Sequence, residues 1–182
     1  MQSSRDTWKP PPHSAYKLNF DVAVFAGLDR SSFGAIIQND KGEVMAAMSA
    51  KGPVVHCSEE AELLACRKVI EFALDAGFTG LVIKGDSSNV MHAISSLKAD
   101  QFLLGNVVGE IQQMLSGLHW VSVGSRRRGG NKVAHVLAQY AKIIIDDMYW
   151  MEDDGALWIP SLPQIQTPPI LEHPSASQLF GP

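Results

Sequence analysis

Leu81-Val82-Ile83-Lys84 is a short, mainly apolar run framed by Gly80 and Gly85, and a helical pattern begins within a few residues of its end. A run of this length bounded by turn residues reads as a buried strand. Gly85-Asp86-Ser87 stops it, so Asp86 is placed at the carboxyl end of a central strand. In open α/β sheets ligands collect at that edge. An Asp followed by Ser and Asn is also an ordinary helix-capping pattern. Its meaning therefore depends on which other carboxylates converge on it.

The flanking chain sets the sheet around this strand. Leu18, Phe20, Val22 and Val24 alternate with Asn19, Asp21 and Ala23, which predicts a strand from Tyr16 to Phe25 with Asp21 on its second face. After the turn Gly27 to Ser32, a second strand is expected from about Phe33 to Gln38. Asn39-Asp40-Lys41-Gly42 is a hairpin signal, and a third strand is expected from Glu43 to Ala50. Ser58 is the expected N-cap of a helix running to about Ala76, with Gly77 ending it. Shorter helices are expected around Asn89 to Leu97 and Phe102 to Leu115, followed by a fifth strand from Leu118 to Val123. Ser125-Arg126-Arg127-Arg128-Gly129-Gly130 reads as a basic loop, and Asn131 as the cap of a last helix with Val133, Leu137, Tyr140, Ala141 and Ile144 on one face.

This β-β-β-α-β-α-α-β-α order predicts an α/β fold, a five-stranded mixed sheet flanked by helices, its first three strands antiparallel. No G-x-G-x-x-G follows the first strand, which disfavours a dinucleotide fold, and there is no Walker-type loop. One domain is expected over residues 15–146, between a proline-rich linker at 1–14 and a proline-rich, largely irregular tail at 147–182. Residues 1–14 read as a junction to something larger, so a fragment is one reading of the chain.

Composition narrows the function classes. A net charge of −4 argues against nucleic-acid binding by bulk charge and requires any such contact to be local. No apolar run reaches the roughly 18–20 residues of a membrane span, so no membrane partner is expected. Two cysteines make no disulfide framework, and an intracellular, reducing compartment is expected, nucleus or cytoplasm unresolved.

Two further carboxylates are locally awkward. At about 100° per residue, Glu60, Arg67, Lys68, Glu71 and Asp75 share one side of the long helix, whereas Glu62 falls among Cys66, Val69, Ile70 and Ala73. A carboxylate pressed towards a sheet is costly unless it is paired, hydrogen-bonded or bound to a cation. The plainer reading is a Glu at a fraying helix start. Asp21 lies mid-strand, where Asp is disfavoured, or else faces water on an edge strand. Brought together, Asp21, Glu62 and Asp86 would make a hard-oxygen pocket suited to Mg²⁺, and two such ions can support phosphodiester hydrolysis.

Asn19-Phe20-Asp21, Ser58-Glu59-Glu60-Ala61-Glu62, Gly85-Asp86-Ser87 and Asn131-Lys132-Val133-Ala134-His135-Val136-Leu137-Ala138 occur in the order of the motifs of the ribonuclease H-like superfamily. The chain resembles the plant domains of that type, often derived from reverse-transcriptase retroelements, over about Tyr16 to Ile145. The resemblance implies the ribonuclease H-like fold and places Asp21, Glu62 and Asp86 on metal-binding acids. It implies Mg²⁺, with Mn²⁺ as the alternative ion. The implied activity is endonucleolytic cleavage of the RNA strand of RNA–DNA hybrids, leaving a 3′-hydroxyl and a 5′-phosphate.

His135 stands where active members carry a fourth acid, so it is either a neutral, softer ligand or a solvated side chain. Val22 stands where Gly is usual, and the arginine loop carries no His. Arg126, Arg127, Arg128 and Asn131 are the candidate nucleic-acid contacts, a solvated charge run being the plainer reading of the arginines. Trp8, Trp120, Trp150 and Trp158 do not interleave with basic residues. The alternative function is a nucleic-acid-binding or interaction module that kept the fold and lost efficient turnover. The expected partner is an RNA–DNA hybrid or RNA; no protein partner is legible.

Overall fold

The computed structural model describes residues 9–25, 30–96, 104–126 and 131–152. In chain order the elements are β1 (Tyr16–Phe25), β2 (Arg30–Gln38), β3 (Val44–Val54), α1 (Ser58–Asp75), β4 (Gly80–Gly85), α2 (Ser88–Ser95), α3 (Gly105–Ser116), β5 (Trp120–Ser125), α4 (Lys132–Tyr140) and β6 (Met148–Met151). They form one sheet in the order β5-β4-β1-β2-β3-β6. β1, β2 and β3 pair antiparallel, whereas β4 joins β1 in parallel and β5 joins β4 in parallel. The expected mixed sheet is present.

Local chemistry explains the turns. The side-chain oxygen of Asn39 accepts from the backbone N–H groups of Lys41 (3.0 Å) and Glu43 (2.9 Å), closing the β2–β3 hairpin. Gly42 there adopts φ +83°, and Gly77 after α1 adopts φ +85°, conformations that glycine reaches without a β-carbon penalty. α1 begins one residue differently from the expectation. Cys57 is the N-cap, its sulfur accepting from the Glu60 N–H, and Ser58 is already helical.

Leu18 and Phe20 of β1, Ile37 of β2, Met48 of β3 and Leu81 and Ile83 of β4 lie in one buried cluster with Leu63, Cys66, Val69 and Ile70 of α1. α2 and α3 close the same side through Val90, Met91, Val108 and Ile111. The other side is covered mainly over β1, β2 and β3 by α4. That contact is close and polar: Ser32 Oγ donates to the Ala138 carbonyl (2.6 Å) and Ser49 Oγ to the Leu137 carbonyl (2.7 Å).

The strand count corrects the expectation of five. Met148–Met151, in the segment expected to be largely irregular, adds a sixth strand antiparallel to β3. Tyr149 turns inward and packs 5.5 Å from Phe72, while Trp150 meets Tyr140 at 6.5 Å. Two aromatic anchors on opposite faces hold this short strand in place. α4 also ends earlier than its apolar face implied, at Tyr140, although Ala141 and Ile144 beyond it remain buried. Among the described residues, no helix is long and apolar enough to cross a membrane.

Candidate active site

Asp21, Glu62 and Asp86 come from three elements and meet at one end of the sheet. β1 and β4 run parallel with Asn19 beside Lys84, so Asp21 and Asp86 both lie two residues further along. α1 crosses the core side and presents Glu62 from its apolar face. Each of the three offers a carboxylate oxygen, and these oxygens all lie within 4.8 Å of one another. Glu62 is 2% exposed and Asp21 8%, so water screens neither charge well.

Such crowding has the expected electrostatic result. Burial, and after it the neighbouring Asp86 and Asp21 charges, push Glu62 up to about 8. Burial also raises Asp21, opposed by hydrogen bonds from His135 and from the Val22 N–H, with Asp86 adding to the rise. Glu62 Oε1 is buried with no hydrogen-bond partner among the described residues. Three crowded carboxylates with an orphaned buried oxygen fit a hard divalent cation, whose charge removes the repulsion and whose coordination fills the vacant acceptor.

Backbone choices make room for this arrangement. A β-carbon on Gly85 would sit 2.8 Å from Phe20 Cζ and 3.0 Å from Glu62 Oε1, so glycine leaves Glu62 its present place without a shift of either side chain. The sequence marked Gly85 only as the end of a strand. Its second role depends on a helix docked from elsewhere in the chain.

His135 joins the three acids. Its ring remains more than half exposed, yet its Nδ1 lies 2.8 Å from Asp21 Oδ2, which accepts from the ring N–H. The ring is thus both open to solvent and hydrogen-bonded to one of the three acids. Asn131 occupies the N-cap position of α4, but its side chain makes no capping bond. It is buried and donates to the Phe20 carbonyl, tying α4 to β1 one residue before Asp21. Arg126 continues the ladder beyond β5, its backbone N–H donating to the Gly85 carbonyl at 2.8 Å, and its guanidinium donates to Asn19 Oδ1 at 3.4 Å. Arg127 and Arg128 lie outside the described residues.

Comparison with known proteins bears on the fold and the family. A ribonuclease H1 from the archaeon Halobacterium salinarum superposes with a TM-score of 0.60 at 22% identity, covering 70% of this chain and 97% of that one. The N-terminal ribonuclease H domain of a Mycobacterium tuberculosis protein gives 0.62 at 18% identity, covering 70% and 92%. A ribonuclease H1 isolated from compost, solved in complex with an RNA/DNA hybrid, gives 0.55 at 15% identity, covering 69% and 94%. At these identities the likeness establishes a ribonuclease H fold. Among curated proteins none matches the chain by sequence. The model of the reverse transcriptase-like family matches residues 19–141, a span that holds Asp21, Glu62, Asp86 and His135. Covering more than half of the chain and bracketing the whole acidic centre, that match shows that the chain belongs to the reverse transcriptase-like family.

Proposed function

We propose that the chain is a metal-dependent nuclease of the ribonuclease H type, cutting the RNA strand of RNA–DNA hybrids. The observation that carries this reading is the closure of Asp21, Glu62 and Asp86 to within 4.8 Å with a buried, unpartnered oxygen on Glu62. These three would hold Mg²⁺ or Mn²⁺, which when bound supplies Lewis acidity and an activated water for phosphodiester hydrolysis. The protein's own part is positional. Gly85 leaves space for Glu62, the Val22 N–H and the His135 ring orient Asp21, and burial keeps the carboxylates poorly hydrated until a cation arrives. The solved complex of the compost enzyme with an RNA/DNA hybrid supports that substrate class for this chain. Backbone and 2′-hydroxyl contacts can select a hybrid by shape without reading its sequence. The cysteine content, two thiols that are free in the fold, supports an intracellular setting as part of the same proposal.

The test is cleavage of a labelled hybrid in Mg²⁺ and in Mn²⁺ by wild type, Asp21→Asn and Asp86→Asn. Cleavage by wild type alone is the expected result, and equal rates for all three proteins would overturn the assignment. The imidazole of His135 in place of a fourth carboxylate favours a second reading: a domain that binds hybrid or RNA and turns over poorly. That reading predicts retained binding with no cleavage at any metal concentration.

A further inference from the structure

The side of the sheet that carries α4 is covered mainly over β1, β2 and β3, and the same side of β4 and β5 lies beyond the helix. Exposed Trp120 and Ser122 confirm that opening. Register places Asn19 of β1, Lys84 of β4 and Gly124 of β5 in one row on this side of the sheet, with Asn19 buried at its covered end. Asp21, Asp86 and Arg126 are each two residues further along.

Two cations are built into these rows. The Lys84 side chain lies across β5, its Nζ 2.6 Å from where a β-carbon on Gly124 would stand, so the glycine provides its bed. Lys84 is only partly exposed, and no acceptor or carboxylate among the described residues meets its ammonium. The Arg126 guanidinium reaches back to Asn19 with one N–H, and its other donors find no acceptor among the described residues. Lys17 on the same side differs, because its ammonium donates to the Lys9 carbonyl at 2.9 Å and serves the fold. Half-buried N–H donors left without acceptors among the described residues, fixed beside an acidic centre in a chain of net charge −4, call for an anionic oxygen ligand.

We propose that Lys84 and Arg126 form a phosphate subsite that holds the backbone of a nucleic-acid strand as it passes from the carboxylate centre onto the open face of β4 and β5. This rests on the nuclease reading above. Two residues of strand advance about 7 Å, which is the scale of the separation between successive phosphates of one nucleic-acid strand. Lys84 therefore grips the phosphate next to the one at the carboxylates, and the Arg126 guanidinium, starting level with the acids, reaches back towards the same row. Such contacts fix register and carry no sequence information.

The experiment measures anisotropy of a fluorescent RNA–DNA hybrid across a salt series, in the Asp86→Asn background so that the probe stays intact. Lys84→Gln and Arg126→Gln are each expected to lower the slope of log K against log salt by about 1. Lys84→Arg should restore the slope, and Lys41→Gln, on the distant hairpin, should leave it unchanged. If the hybrid binds and the Lys84 and Arg126 variants keep the parent slope, the subsite is overturned while the nuclease reading stands. An equal loss in Lys41→Gln would also overturn it, as a general charge effect. Inorganic phosphate that raises the melting temperature through these residues, without any change in hybrid slope, would assign a free-phosphate site instead and overturn the strand proposal. Failure of the parent to bind hybrid at all would remove both readings.

Discussion

Gly34 and Ala134 are in backbone contact: a β-carbon on Gly34 would lie 2.1 Å from the Ala134 carbonyl oxygen. Gly34 pairs with Asp21 across β1 and β2, and Ala134 precedes His135. The glycine thus sets how closely α4 approaches the strand that carries Asp21, and with it the 2.8 Å His135–Asp21 contact. Gly34→Ala should push α4 outward and destabilise the fold by about 1–3 kcal/mol. Chemical denaturation measures that cost, and a stability equal to wild type would show that α4 is not held by this contact.

Protonation of Glu62 gives the metal-free protein a distinctive pH dependence. The folded carboxyl is raised to about 8 from an ordinary value near 4.5. A raised carboxyl binds its proton more tightly in the fold, so its contribution is complete below the unfolded value and is lost as pH rises through the folded one. Melting temperature without divalent ions should therefore fall between about pH 4.5 and pH 8. Glu62→Gln should flatten that fall. Parallel profiles for the two proteins would contradict the assignment.

Metal should reverse the same penalty. At an ion concentration about 100 times Kd, binding stabilises a fold by about 2.7 kcal/mol. Thermal unfolding with Mg²⁺ or Mn²⁺ should show a clear rise for wild type and little or none for Asp21→Asn or Asp86→Asn. An equal rise in all three would place the ion elsewhere.

His135→Asp should act with opposite signs in the two states. Without metal it removes the N–H that Asp21 accepts and adds a fourth negative charge, so the melting temperature should drop. With Mg²⁺ it supplies a hard oxygen ligand, so ion affinity and hybrid cleavage should increase. If cleavage is already present and falls instead, the imidazole is itself a working ligand.

Much of this site was legible because each acid breaks a local rule. Glu62 interrupts an apolar helical face, Asp21 sits inside a strand, and Asp86 ends one. Periodicity alone exposes such conflicts, and the ordered motifs tie them together. Features that depend on distant packing were not legible. Asn131 read as a helix cap, but its side chain goes to the Phe20 carbonyl, a partner 111 residues away. Cys57 displaced Ser58 as the cap of α1, a one-residue shift that two polar neighbours permit. β6 was missed because four residues beside a proline-rich segment carry little periodic signal, and they become a strand only where β3 offers an edge.

That sixth strand bears on how copies of the molecule meet. β3 is eleven residues long, and without Met148–Met151 much of its outer hydrogen-bonding row would be open to another chain. β6 covers Ala46 to Ser49, the buried middle of β3, and leaves a four-residue strand as the sheet's border. Short borders template poorly, whereas long ones recruit strands from neighbouring molecules. A protein cut after residue 146 should keep the acidic centre yet precipitate or self-associate, which sedimentation would reveal. Four residues with no part in the chemistry would thus set how much of the β3 edge another chain can reach.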